Sequence, residues 1–111
     1  MILTVFRSRL TEAAGEDYVE WVNELKELAK DNPGFIDIKT YTADDGERLT
    51  AVRWRDKETL RDWSHNARHL EAKRLAREKW YQYFEIEVAE VFRTNSFGSK
   101  ELVVSVEGQG H

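Results

Sequence analysis

The sequence predicts an α+β domain of the ferredoxin-like type, and three observations carry that expectation. The apolar pattern switches between a period of two and a period near 3.6 in the order β-α-β-β-α-β. In the usual strand order of that fold, the first strand lies beside the third and fourth. Arg7 and Arg9 then face Glu85 and Glu87, and Asp37 faces Arg53 or Arg55, so opposite charges meet across strands. Finally, 111 residues with 41% hydrophobic and 34% charged content suit one globular domain with a single core.

Each element has its own signal. Ile2 to Leu10 alternates and is rich in β-formers, which predicts the first strand. Glu16 to Asp31 places Tyr18, Val22, Leu25 and Leu28/Ala29 at three- and four-residue steps, one apolar helical face, with Glu16 and Asp17 in the first turn where the helix dipole favours negative charge. Asn32-Pro33-Gly34 stops this helix: proline cannot continue it and glycine accepts the turn. Phe35 to Tyr41 and Leu49 to Arg55 read as strands joined around Asp44-Asp45-Gly46, a hairpin signal. Asp56 caps a short helix reaching Trp63, a second helical piece runs from about Asn66 to Lys79, and Tyr81 to Arg93 is a long last strand. Ile36/Ile38, Thr50/Val52/Trp54 and Phe84/Ile86/Val88 form the apolar faces that meet the helices.

A strand of about thirteen residues outruns its partners, so its end is expected to pair with another chain. The expectation is a homodimer with the charged sheet faces turned toward each other; the alternative is a monomer with one solvated sheet face. Residues 1–93 then form the domain, and 94–111 a linker and arm. Leu102, Val103, Val104 and Val106 would otherwise be exposed together, which favours laying the arm on the partner subunit.

Composition removes several functional classes. There is no cysteine, hence no disulfide, thiolate metal site or thiol nucleophile. A net charge of -4 argues against a dedicated nucleic-acid binder. No apolar run has the length of a membrane span, and Ile2 to Phe6 is too short for a signal-peptide core, so the expected compartment is the cytoplasm. Neither a phosphate loop nor a nucleophile elbow is present. His65 and His69 have helical ligand spacing, but the stretch between them lacks the glutamate of a zinc-protease helix and no third ligand is evident. The basic run Arg68, Lys73, Arg74, Arg77, Lys79 reads as a solvated helix face.

What remains is the stretch holding Trp63, Asn66 and His69. An imidazole titrates near neutrality and can take a proton from an acidic phenol or enol, although a lone histidine is more often an ordinary surface residue. Trp63 is either core or an aromatic wall, and Asn66 either an N-cap for the second helical piece or a donor to a substrate oxygen. Trp54 and Phe6 read as core residues that could also wall a pocket.

With these residues the chain resembles the antibiotic biosynthesis monooxygenase family over roughly residues 1–93. The resemblance is carried by the element order, by Pro33-Gly34-Phe35 after the first helix and by Trp54-Arg55 ending the third strand. Trp63 and His69 follow, then the closing Tyr83-Phe84-Glu85-Ile86 strand that runs to Val91-Phe92-Arg93. It implies a dimeric α+β barrel with a pocket in each subunit between sheet and helices. Activities in the family include cofactor-free oxygenation of quinols and anthrone-like polyketides, and heme degradation. The heme branch fits poorly: where it places its iron-ligating histidine this chain has Lys73, and Ser8 stands where it has a strand-one asparagine. His69 instead matches a histidine of the non-heme branch. The resemblance therefore implies a cofactor-independent monooxygenase using O2 on a small aromatic substrate, with no metal. His69 would be base or anion partner, Asn66 the oxygen-anchoring donor, and Trp63, Trp54 and Phe6 the walls. Two alternatives stand beside it: a non-catalytic small-molecule-binding barrel, and another enzyme class using His69 as base on the same barrel.

Overall fold

The computed structural model describes residues 1–73 and 79–98, and within 67–73 it describes the course of the backbone only. The elements are β1 (Ile2–Leu10), α1 (Glu16–Lys30), β2 (Phe35–Thr42), β3 (Arg48–Trp54), α2 (Lys57–Lys73) and β4 (Tyr81–Glu90). They form a four-stranded antiparallel sheet in the order β2-β3-β1-β4, with two helices, which is the ferredoxin-like arrangement read from the sequence.

Register fixes the two faces, because directly paired residues point the same way. Ile2, Thr4, Phe6 and Ser8 of β1 pair with Trp54, Val52, Thr50 and Arg48 of β3, and Thr4, Phe6 and Ser8 pair with Val88, Ile86 and Phe84 of β4. This is the helix-facing side. Leu3, Val5, Arg7 and Arg9 lie on the outer side.

The loops show why the chain turns where it does. Gly46 adopts φ 91°, the left-handed conformation that the β2–β3 hairpin requires, and its N–H donates to the Ala43 carbonyl at 2.9 Å. Gly34 acts otherwise than its sequence context suggested. Its φ is not positive, so it is not there for the turn. A Cβ on it would sit 1.9 Å from Thr59 Oγ1, so glycine is needed for close approach of the α1–β2 turn to the start of α2. Asn32 links the same two segments, donating to the Thr59 carbonyl at 2.9 Å and accepting from Gly34 N–H at 2.7 Å.

Two element boundaries and one core residue differ from expectation. α2 is one unbroken helix through Asn66, started by Asp56, whose Oδ1 accepts from Thr59 N–H at 2.9 Å. Asn66 therefore caps nothing. β4 ends at Glu90, where Ile2 pairs with it; one further bond, Val91 N–H to the Met1 carbonyl at 2.9 Å, closes the ladder. The strand does not outrun β1, so its length gives no argument for pairing with a second chain. Ile36 sits at an irregularity in the β2–β3 register and is 48% exposed, so it does not reach the core. The expected continuation of α2 to Lys79 and the arm at Leu102–Val106 fall partly or wholly outside the described residues.

Candidate functional site

The helix-facing side of the sheet is filled at its two ends by separate clusters. At one end Ile2, Ala29 and Trp54 are buried, with Phe35, Val52, Leu60 and Trp63 packed on them. At the other, Tyr18, Trp21 and Trp80 are buried, with Leu10, Ala14, Val22, Leu25 and Tyr81 around them. Between the two runs a strip of sheet that belongs to neither: Thr4 and Phe6 of β1, Thr50 of β3, and Ile86 and Phe84 of β4. Among the described residues this strip is only partly covered. Phe84, Ile86 and Val88 remain 41%, 56% and 60% exposed, although they sit on the side that the helices cover. An apolar strip flanked at both ends by aromatic side chains is the kind of lining that small-molecule sites use.

The candidate residues distribute around it as follows. Trp63 closes one end, its ring 5.7 Å from that of Trp54 and tilted by 30°. Trp54 lies beneath, 0% exposed, edge-on to Phe35 at 6.1 Å, with its Nε1–H directed to Thr4 Oγ1 at 3.3 Å. Trp54 thus backs the wall that Trp63 forms and has no free surface of its own. Phe6 lies in the floor, stacked on Phe84 at 5.5 Å and edge-on to Tyr81 at 5.7 Å. Asn66 is exposed on α2. His69 lies on α2, its side chain outside the described residues. Because α2 is unbroken, the six-residue step from 63 to 69 turns the helix by about 600°, which leaves the two positions about 120° apart around the axis.

Polar groups to which the sequence analysis gave no role at a site also lie on this side of the sheet. Thr4 Oγ1 accepts from Trp54 and donates to the Val52 carbonyl at 3.4 Å, and the hydroxyls of Thr40 and Thr50 are 2.9 Å apart. Ser8 is buried at 2% exposure. Arg48 pairs with Ser8 in register and extends over the ring of Tyr18, 6.0 Å from its centroid. Arg48 lay one residue before the strand start inferred from sequence. Alternation back from Thr50 was the signal that could have placed it on this side.

The outer face is electrostatically distinct. Arg7 is opposite Glu85 as expected from the strand order, but its ion pair is with Glu47 of the hairpin, at 3.0 Å. Tyr83 donates to the other Glu47 oxygen at 2.6 Å. The bond from Tyr83, then that from Arg7, hold the Glu47 carboxyl below its ordinary pKa, and the same bond to Glu47 pushes the Tyr83 phenol up. Arg53 pairs with Asp37 at 3.1 Å, as the strand order implied, and Arg9 with Asp45 at 3.5 Å. Among the described residues no cluster of His, Cys, Asp or Glu could hold a metal ion, and no helix is long and apolar enough to cross a membrane.

A four-stranded antiparallel sheet in βαββαβ order with two helices on one face defines the class: a ferredoxin-like α+β domain. The sequence model for antibiotic biosynthesis monooxygenases matches residues 1–75, and the chain belongs to that family. It is 31% identical over 80 residues to the uncharacterized protein YqjZ of Bacillus subtilis (strain 168), covering 72% of this chain and 70% of YqjZ. Solved structures share the fold at low identity. Rv0793 from Mycobacterium tuberculosis superposes with a TM-score of 0.69 at 14% identity, over 86% of this chain and 98% of Rv0793. SnoaB, a cofactor-independent oxygenase from Streptomyces nogalater, gives 0.66 at 14% identity, over 84% of this chain and 94% of SnoaB.

Proposed function

We propose that the chain is a cofactor-independent monooxygenase of an electron-rich aromatic small molecule, a quinol or anthrone, bound in the strip between the two aromatic clusters. The observation that carries this reading is that strip: apolar, floored by Phe6 and Ile86, bounded by Trp63, and left partly open on the side the helices cover. Family membership and the fold shared with a cofactor-independent oxygenase support it.

The chemistry requires little of the protein. An anthrone loses a proton to give an enolate that itself reduces O2. One oxygen atom becomes the new carbonyl, the other leaves as water, and the substrate supplies all four electrons. The cleft would exclude bulk water and hold the ring, so that the anion meets fixed dipoles rather than solvent. His69 is assigned as the base or anion partner. Trp63 and Phe6 contact the ring, and Trp54 sets the angle of Trp63. Asn66 would anchor a substrate oxygen.

The exposure of Asn66 favours a second reading, a non-catalytic binding barrel, which predicts ligand binding without oxygen uptake. Oxygen consumption on a panel of quinols and anthrones, with chelator and no flavin, separates the two. Catalysed uptake that His69→Ala loses, and that yields no product under nitrogen, supports the oxygenase. Binding without uptake supports the barrel binder, and product formed under nitrogen would identify a different enzyme class.

The functional unit is proposed to be a homodimer joined through the outer sheet face. Leu3, Val5, Leu49 and Ala51 form its apolar centre, with Lys39 of β2 on one side and Glu87 of β4 on the other, in one cross-strand row through Ala51 and Val5. A two-fold axis parallel to the strands lays each β2 over the partner's β4 and brings Lys39 toward Glu87.

A further inference from the structure

Four arginines lie in the strands of the sheet, and three of them are neutralised on its outer face: Arg7 by Glu47, Arg9 by Asp45 and Arg53 by Asp37. The fourth, Arg48, is on the helix-facing side, and among the described residues it has no carboxylate. Its register partners are Ser8 and Thr42, and Ser8 pairs in turn with Phe84, so the row it belongs to is otherwise uncharged. Its recorded contact is the face of Tyr18, itself 8% exposed. A half-buried guanidinium is expensive to leave without an anion, and a single aromatic face offsets only part of that cost.

We propose that Arg48 is the specificity-determining anion site of the cleft, and that the substrate is an aromatic acid whose carboxylate it binds. This deepens the proposed function and rests on it for the location of the ring. The spacing fits. Arg48 is two residues along β3 from Thr50, the register partner of Phe6, a separation of about 6–7 Å at ~3.3 Å per residue. A fused aromatic lying on Phe6 and Ile86 therefore carries a ring substituent to the level of Arg48. A guanidinium grips a carboxylate through two parallel N–H donors, and such a bond gains strength where water is partly excluded. The buried hydroxyl of Ser8 stands on the same row. Trp63 and Arg48 would then read opposite ends of one ligand: the apolar body at one, the charge at the other.

The test uses two probes of equal size, 2-naphthoate and its neutral isostere 2-naphthamide. Both are titrated calorimetrically into the wild type, Arg48→Gln and Arg48→Lys, with thermal unfolding as a folding control. The expected result is that wild type binds naphthoate at least about tenfold tighter than naphthamide, with the preference shrinking as salt rises. Arg48→Gln should bring the two affinities within about twofold by weakening naphthoate alone, and Arg48→Lys should restore part of the preference. A purely structural role for Arg48 would weaken both probes together, and that outcome overturns the proposal. So does equal affinity in the wild type, or a preference that survives in Arg48→Gln. If neither probe binds the wild type, the cleft itself is refuted as an aromatic site, and the assignment of Arg48 falls with it.

Discussion

Single residues here are constrained by what lies against them more than by their own conformational preference. Gly34 is the clearest case. Its turn is legible in Asn32-Pro33-Gly34, but the reason for glycine is Thr59, which is distant in sequence and touches it through a tertiary contact. No local pattern could show that. Gly34→Ala is expected to destabilise by roughly 1–3 kcal/mol through overpacking, and Gly34→Ala with Thr59→Gly should recover much of the loss. Paired thermal melts check this. Trp54 and Phe6 were readable as apolar and inward-facing from strand alternation. That one is sealed and the other half-open depends on where the helices lie. Trp54→Ala should cost about 3–5 kcal/mol, the range for a large aromatic in a packed core. Phe6→Ala should instead show its larger effect in ligand affinity, as calorimetry would reveal.

At the level of elements, the strands and hairpin follow the sequence closely, because alternation and Asp44-Asp45-Gly46 are local signals. α2 does not. Ser64, His65 and Asn66 weaken helix propensity enough to suggest a break, yet Trp63 packing on Trp54 and the cap at Asp56 hold one continuous helix. That continuity sets backbone positions 63 and 69 about one helix axis, a relation the sequence could not settle. The cap also sets a pH dependence. Hydrogen bonds from the Thr59 backbone and then its hydroxyl hold Asp56 below its reference pKa of 3.8. A depressed carboxyl contributes stability that is complete above the unfolded pKa and is lost as pH falls through the lower folded value. Acid unfolding should therefore steepen below about pH 4. Asp56→Asn should flatten that limb while leaving the melting temperature at pH 7 little changed, because asparagine keeps the capping oxygen.

For the whole molecule, the strand order followed from the β-α-β-β-α-β pattern and the usual order of that fold. It placed Asp37 opposite Arg53 or Arg55, of which the structure shows Arg53. The engagement of Arg7 with Glu47 did not follow in this way, since it depends on the β1–β3 register that sets Glu47, just before β3, beside this end of β1. The proposed homodimer through the outer face can be tested in solution. Sedimentation should give a dimer that Lys39→Glu weakens by setting like charge against Glu87, and Lys39→Glu with Glu87→Lys should restore it. The account as a whole stands on the strip between the aromatic clusters being an oxygenase site that needs no cofactor. The most direct test is the oxidation of a 1,8-dihydroxyanthrone carrying a ring carboxylate, under ¹⁸O2 with chelator present, with the rate compared against enzyme-free solution and the product weighed by mass spectrometry. The account predicts a protein-dependent rate, lost in His69→Ala, and one ¹⁸O atom in the quinone. A rate no faster than enzyme-free solution, or one that the chelator abolishes, would contradict it.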